Sequence, residues 1–174
     1  MVENRKIKKN KEVLSRLNSG KAASIINAIG ELRVIGNVNY LPDIFNTYHE
    51  RQDVTVKHEI ANFISDLKDE NAADYIVNFI KDIKNEEDVS LYVSSCWQSR
   101  VKFTRFTGFF IDLIAGHSYQ TSVEAFTVIE NCLPDIDKDT IKQHVQTLKS
   151  NINRANKEKK LFVLEIIKIL GREI

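Results

Sequence analysis

Four phenylalanines, Phe103, Phe106, Phe109 and Phe110, fall within eight residues and are interleaved with Arg100, Lys102 and Arg105. Rings stack on bases and cations neutralise phosphates, so this segment has the residue types of a nucleic-acid contact. The same residues also make a core stripe, because Phe103, Phe106, Phe110, Leu113 and Ile114 recur at helical spacing and only Phe109 falls off it. Trp97 has the same two readings, and its place beside Val93 and Cys96 favours the core. The four histidines, His49, His58, His117 and His144, are spread along the chain with no second ligand in a metal-site motif. There is no His-Glu-x-x-His, nucleophile elbow, phosphate-binding loop or dinucleotide fingerprint. Cys96 and Cys132 make neither a disulfide framework nor a metal-ligand spacing, and both fall on apolar faces, where cysteine is a small core residue. No cofactor, no metal and no enzymatic activity is therefore expected.

Charge divides the chain more sharply than it totals. Between 43 and 88, twelve Asp and Glu stand against five Lys and Arg, a net −7. Many of these acids sit between apolar runs, where carboxylates cap helix N-termini and favour the dipole, and no calcium-loop spacing is present. The first 21 residues carry seven basic groups, Arg5, Lys6, Lys8, Lys9, Lys11, Arg16 and Lys21, against Glu3 and Glu12. That excess suits an anionic partner, or a solvated capping helix whose Val13, Leu14 and Leu17 dock on the next element. The overall charge is only +1. An acidic middle repels a phosphate backbone lying along it, which disfavours nucleic acid.

The elements that must position these residues announce themselves as a repeat. A shift of 35 positions carries Ile25, Asn27, Ile29, Glu31 and Leu32 onto Ile60, Asn62, Ile64, Asp66 and Leu67. The same shift carries Tyr40, Leu41, Ile44, Phe45 and Tyr48 onto Tyr75, Ile76, Phe79, Ile80 and Ile83, and Asp53–Val54 onto Asp88–Val89. Self-similarity at this period marks a solenoid, whose units are too small to bury their own apolar faces and stack on their neighbours. Each unit reads as two helices at i, i+3, i+4, i+7 spacing, with a stop at Gly36–Asn37 in the first and Pro42 in the opening turn of its second helix.

The pattern apolar-x-x-Ala-Ile-Gly-Glu-Leu, followed by Tyr-Leu-Pro-Asp-Ile-Phe, resembles the HEAT-like repeat, and the Asp-Val pairs resemble that family's step into the next first helix. The resemblance implies an all-α fold, an α-α superhelix of HEAT/armadillo-like kind with about four to five helix pairs. It implies a single domain over 1–174, with a capping helix at 1–20, repeats at 21–54, 55–88, 89–121 and 122–155, and a capping helix at 156–174. In the later repeats Val123, Phe126, Ile129 and Leu133 mark one apolar face, and Ile141, Val145, Leu148 and Ile152 the next. The last segment is apolar nearly all round, with Leu161, Leu164, Ile167, Ile169 and Leu170, and Phe162, Val163 and Ile166 as well. Either the fourth repeat wraps it or a partner covers it.

The resemblance also implies a protein-interaction scaffold whose second helices line one face. Side chains off their apolar stripes are the candidate partner-binding residues: Asp43, Asn46 and Thr47, then Asn78, Lys81 and Asp82, then Arg105, Phe109 and Asp112. Phe109 with Arg105 is the expected centre, since aromatic and arginine side chains dominate interface energetics. The expected ligand is a protein partner. A nucleic-acid reading would use the basic N-terminus with Arg100, Lys102 and Arg105. No apolar run approaches the ~18–20 residues of a membrane span. With no secretory pattern at the N-terminus and no disulfide framework, a cytoplasmic location is expected.

Overall fold

The computed structural model describes residues 11–35 and 37–174, the side chain of residue 154 excepted. The expected basic arm at Arg5, Lys6, Lys8 and Lys9 and the expected stop at Gly36 lie outside those residues. The chain is all-α: helix α1 covers 11–17, α2 Ala22–Ile35, α3 Leu41–Glu50, α4 Val54–Ser65 and α5 Ala72–Asp82. It continues with α6 at Glu86–Gln98, α7 at Thr107–Gly116, α8 at Tyr119–Cys132, α9 at Lys138–Asn151 and α10 at Lys157–Gly171. No strand occurs among the described residues, and the packed helix pairs are consistent with a helical solenoid. No described helix is long and apolar enough to cross a membrane. The chain divides into two compact units, one running to Phe79 and including Gln98–Val101, the other formed by Ile80–Trp97 and Lys102–Ile174.

In the first unit α4 packs on both α2 and α3. The buried positions follow the 35-residue register: Ile25 and Ile60, Ile29 and Ile64, Leu32 and Leu67, Leu41 and Ile76 are all in the core. Val13 and Leu17 of α1 are buried too. Pro42 sits in the first turn of α3, where its missing N–H costs no hydrogen bond. Phe45 stacks on Phe79 with ring centroids 4.0 Å apart, and Tyr48 meets Phe79 edge-on at 5.3 Å. Arg33 of α2 ties the neighbouring first helix by pairing with Glu59 at 2.9 Å and Asp66 at 2.6 Å.

The register fails at the helix starts. The carboxylate of Asp53 accepts the N–H groups of Thr55 and Val56 and opens α4. The next first helix, α6, begins earlier in the repeat, because Asn85 accepts the N–H of Asp88 and caps it first. Asp88 and Val89 therefore lie inside the first turn and are buried, whereas Val54 is exposed. Tyr75 is likewise exposed where its equivalent Tyr40 is buried.

In the second unit α7 packs on α8 and α9, and α10 packs on α9 and α8. Several expected faces are rotated. Trp97 is 37% exposed rather than core, with its indole N–H donating to Glu124 at 2.7 Å. The apolar stripe of α6 is carried instead by Val89, Tyr92, Val93 and Cys96. Phe103 is buried just ahead of a short 3-10 turn at Thr104–Phe106, so α7 starts only at Thr107 and Phe106 is left half-exposed. In α8 the buried face centres on Ser122, Ala125, Ile129 and Cys132, leaving Val123 and Leu133 at the margin. In α10 it is Lys159, Val163, Ile166 and Leu170, and Leu161 and Leu164 are 63% and 47% exposed. An all-round apolar helix has no preferred face of its own, so its neighbours choose one.

His144 is buried in α9, with Nε2 2.9 Å from the hydroxyl of Thr107. Burial pushes its imidazole below the ordinary range, with Asp112 and Asp137 opposing. The folded state therefore holds it neutral, a contribution present above the unfolded value near 6.5 and lost as pH falls below it. Thermal melts from pH 7.5 down to pH 5 should show falling stability in the wild type and a shallower fall in His144→Gln, which keeps a hydrogen-bonding group. Equal slopes would remove His144 as the cause.

Candidate functional site

The nine surface residues expected from the repeat do not share one environment. Asp43, Asn46 and Asn78 lie in the first unit, with Asn46 donating to Glu50 at 2.9 Å. Thr47 is 1% exposed and belongs to the core: its hydroxyl turns back onto the Ile44 carbonyl at 2.6 Å, so α3 buries a wider face than its apolar residues mark. In the second unit Arg105 lies over the ring of Phe106, 4.9 Å from its centroid. The cation over Phe109 is Lys81, at 5.5 Å.

Lys81, Phe109 and Asp112 come together in one groove of about 450 Å³, completed by Ile80, Ile83, Lys84, Leu113, Gly116 and His117. Local helix geometry explains the lining. Asp112 and Leu113 lie three and four residues after Phe109, and Gly116 four and three residues after them, so α7 presents them along one side. Leu113 also reaches the core, whereas Phe109 stays half-buried and Asp112 exposed. Open space surrounds the position a Cβ would take on Gly116, which keeps the groove unobstructed at the end of α7. Apolar walls with two lysines on one side and one aspartate on the other suit an amphipathic chain segment with acidic character.

A second cleft of about 580 Å³ shares Asp112, Gly116 and His117 with the groove and adds Ala115, Asn151, Ala155, Asn156 and Lys159. The turn between α7 and α8, whose His117 lines both spaces, is clamped from both sides. Glu86 Oε1 accepts the N–H of Ser118 at 2.8 Å and the hydroxyl of Thr121 at 2.7 Å, and Oε2 lies 2.9 Å from His117 Nδ1. Burial opposes its ionisation, but the hydrogen bonds from Thr121, Ser118 and His117 outweigh burial and hold the carboxyl down at about 2. On the other side the Lys159 ammonium donates to the carbonyls of Ala115, at 3.3 Å, and His117. A carboxylate thus satisfies the positive start of α8 and an ammonium the negative end of α7. Burial pushes the Lys159 amine below its usual range, opposed by the field of Glu86.

Sequence reasoning missed this pair. Glu86 reads as an acid of its own helix start, and nothing local says that it reaches α8. Lys159 did carry a signal: it stands in phase with Val163, Ile166 and Leu170. Among the described residues no group of three His, Cys, Asp or Glu side chains could hold a metal ion. In comparisons with protein-family models, with curated proteins and with solved structures, nothing matches this chain.

Proposed function

We propose that this chain is a non-enzymatic scaffold of HEAT-like repeats that binds a protein partner through the groove beside α7. The observation that carries the reading is the convergence of Lys81, Phe109 and Asp112, from two helices, on one apolar-walled groove. Phe109 is its anchor: a half-buried ring held under a lysine offers a large contact area that needs little further ordering on binding. The nucleic-acid reading finds less support, since Lys102 pairs with Asp135 at 3.5 Å and Arg105 is laid over Phe106.

The test is capture from native lysate, with and without nuclease, read by mass spectrometry for wild type, Phe109→Ala, Gly116→Leu and the control Asn46→Ala, which does not line the groove. A partner of the groove should be retained by wild type and Asn46→Ala, resist nuclease, and fall at least about tenfold with either groove variant. Both variants should keep the helical circular dichroism signal. Capture that survives Phe109→Ala and Gly116→Leu, or that vanishes with nuclease, overturns the reading.

A further inference from the structure

We infer that the cleft lined by Lys159 is a seat for a free peptide carboxylate, so that the partner in the neighbouring groove enters by its C-terminus. The inference rests on the groove reading and adds the chemistry of the partner's end.

Lys159 is only 6% exposed, and its two hydrogen bonds both go to backbone carbonyls. An ammonium has three N–H donors, so one remains. No carboxylate among the described residues stands in ion-pair contact with it. A buried charge whose direct contacts are all carbonyl dipoles, with Glu86 acting on it only through its field, is costly, and an anion brought into direct contact in the cleft would relieve that cost. A second donor lies in the same lining: Asn156 spends its Oδ1 on the N–H of Lys159 and keeps its amide nitrogen free. The lining also carries acceptors. Asn151 donates its amide to Thr147 and keeps its Oδ1, and Asp112 is exposed.

This mixture decides the class of ligand. A multiply charged anion such as phosphate is opposed by Asp112 and by the carbonyl end of α7. A neutral ligand leaves the ammonium as it was. A peptide terminus fits both halves, with its single-charged carboxylate facing Lys159 and Asn156 and its last backbone N–H facing Asp112 or Asn151. Continuity gives the direction of the chain: Asp112, Gly116 and His117 line both spaces, so a peptide ending at Lys159 runs on past Gly116 towards Phe109 and Lys81.

The probe is a peptide selected against the full chain from a library displayed with free C-termini, then synthesised as the acid and as the amide. Binding is read by fluorescence anisotropy. The acid should bind at least about tenfold more tightly than the amide. Asn156→Asp keeps the capping oxygen of α10 but replaces the free amide by a negative charge, so it should remove that preference without unfolding the helix. Lys159→Met should do the same if it folds, and Asn156→Asp stands alone if it does not. Equal binding of acid and amide, with both lost in Gly116→Leu, would leave the groove standing and overturn the carboxylate seat. Failure to select any peptide, or binding indifferent to Gly116→Leu, would overturn both.

Discussion

Ile29→Ala and Ile64→Ala should each lower the free energy of unfolding by about 2–5 kcal/mol, the range for truncating a fully buried aliphatic side chain. Both side chains are 0% exposed and occupy equivalent places in the repeat, in α2 and α4, which pack on each other. Each truncation removes three carbon atoms from a site walled by helices that cannot collapse independently, so a cavity remains. Urea unfolding followed by circular dichroism measures the loss, with Val34→Ala as an exposed control in the same helix as Ile29. An effect below about 0.5 kcal/mol at both sites, the size of an ordinary surface change, would mean that the 35-residue register does not describe the core.

Removing Glu86 should have the next largest effect. Glu86→Ala leaves the Ser118 N–H, the Thr121 hydroxyl and one face of His117 without their shared acceptor, and takes the negative charge from the start of α8. Thr121 is fully buried, so water does not readily replace the lost bond. Orphaned buried donors cost about 1–3 kcal/mol each. Glu86 itself is half-exposed, so solvent screens its charge and the loss as a whole stays at about 1–3 kcal/mol. The pH dependence has a definite sign. The folded carboxyl titrates at about 2 against an ordinary 4.5. Its contribution is therefore complete above the unfolded value and disappears as pH falls from there towards the folded one. Melting temperatures of wild type and Glu86→Gln should converge as acid is added across that window. A constant gap between them would show that the carboxylate acts by shape rather than by charge.

The two predictions draw on different kinds of information. Ile29 and Ile64 are visible in the chain because the shift from one to the other preserves spacing and apolarity. Glu86 becomes visible only when α6 and α8 are placed side by side, since its partners are 31 to 35 residues away. The groove falls between these cases. Phe109 stands out in the sequence as the one phenylalanine off the stripe, and Lys81 and Asp112 as polar residues on second helices. Their convergence, with Lys81 over Phe109 where Arg105 was expected, is a matter of where α7 starts. The 3-10 turn at Thr104–Phe106 sets Arg105 ahead of that helix, over Phe106.

What the sequence by itself determined is the all-α class, the two-helix unit and the core of the first two repeats. These depend on periodicity, and a stripe at 3.6-residue spacing leaves one way to bury itself. Tertiary structure alone decided the facing of the helices whose apolar residues are too many to define a stripe. It put Leu161 and Leu164 outside, and Lys159 inside against the carbonyls of α7. It also exposed Trp97, buried Thr47, and chose Asn85 rather than Asp88 to open α6. In each case the competing local choices differ by about 1 kcal/mol or less, and packing against neighbouring helices, worth several times that for every large side chain buried, settles which of them the chain adopts.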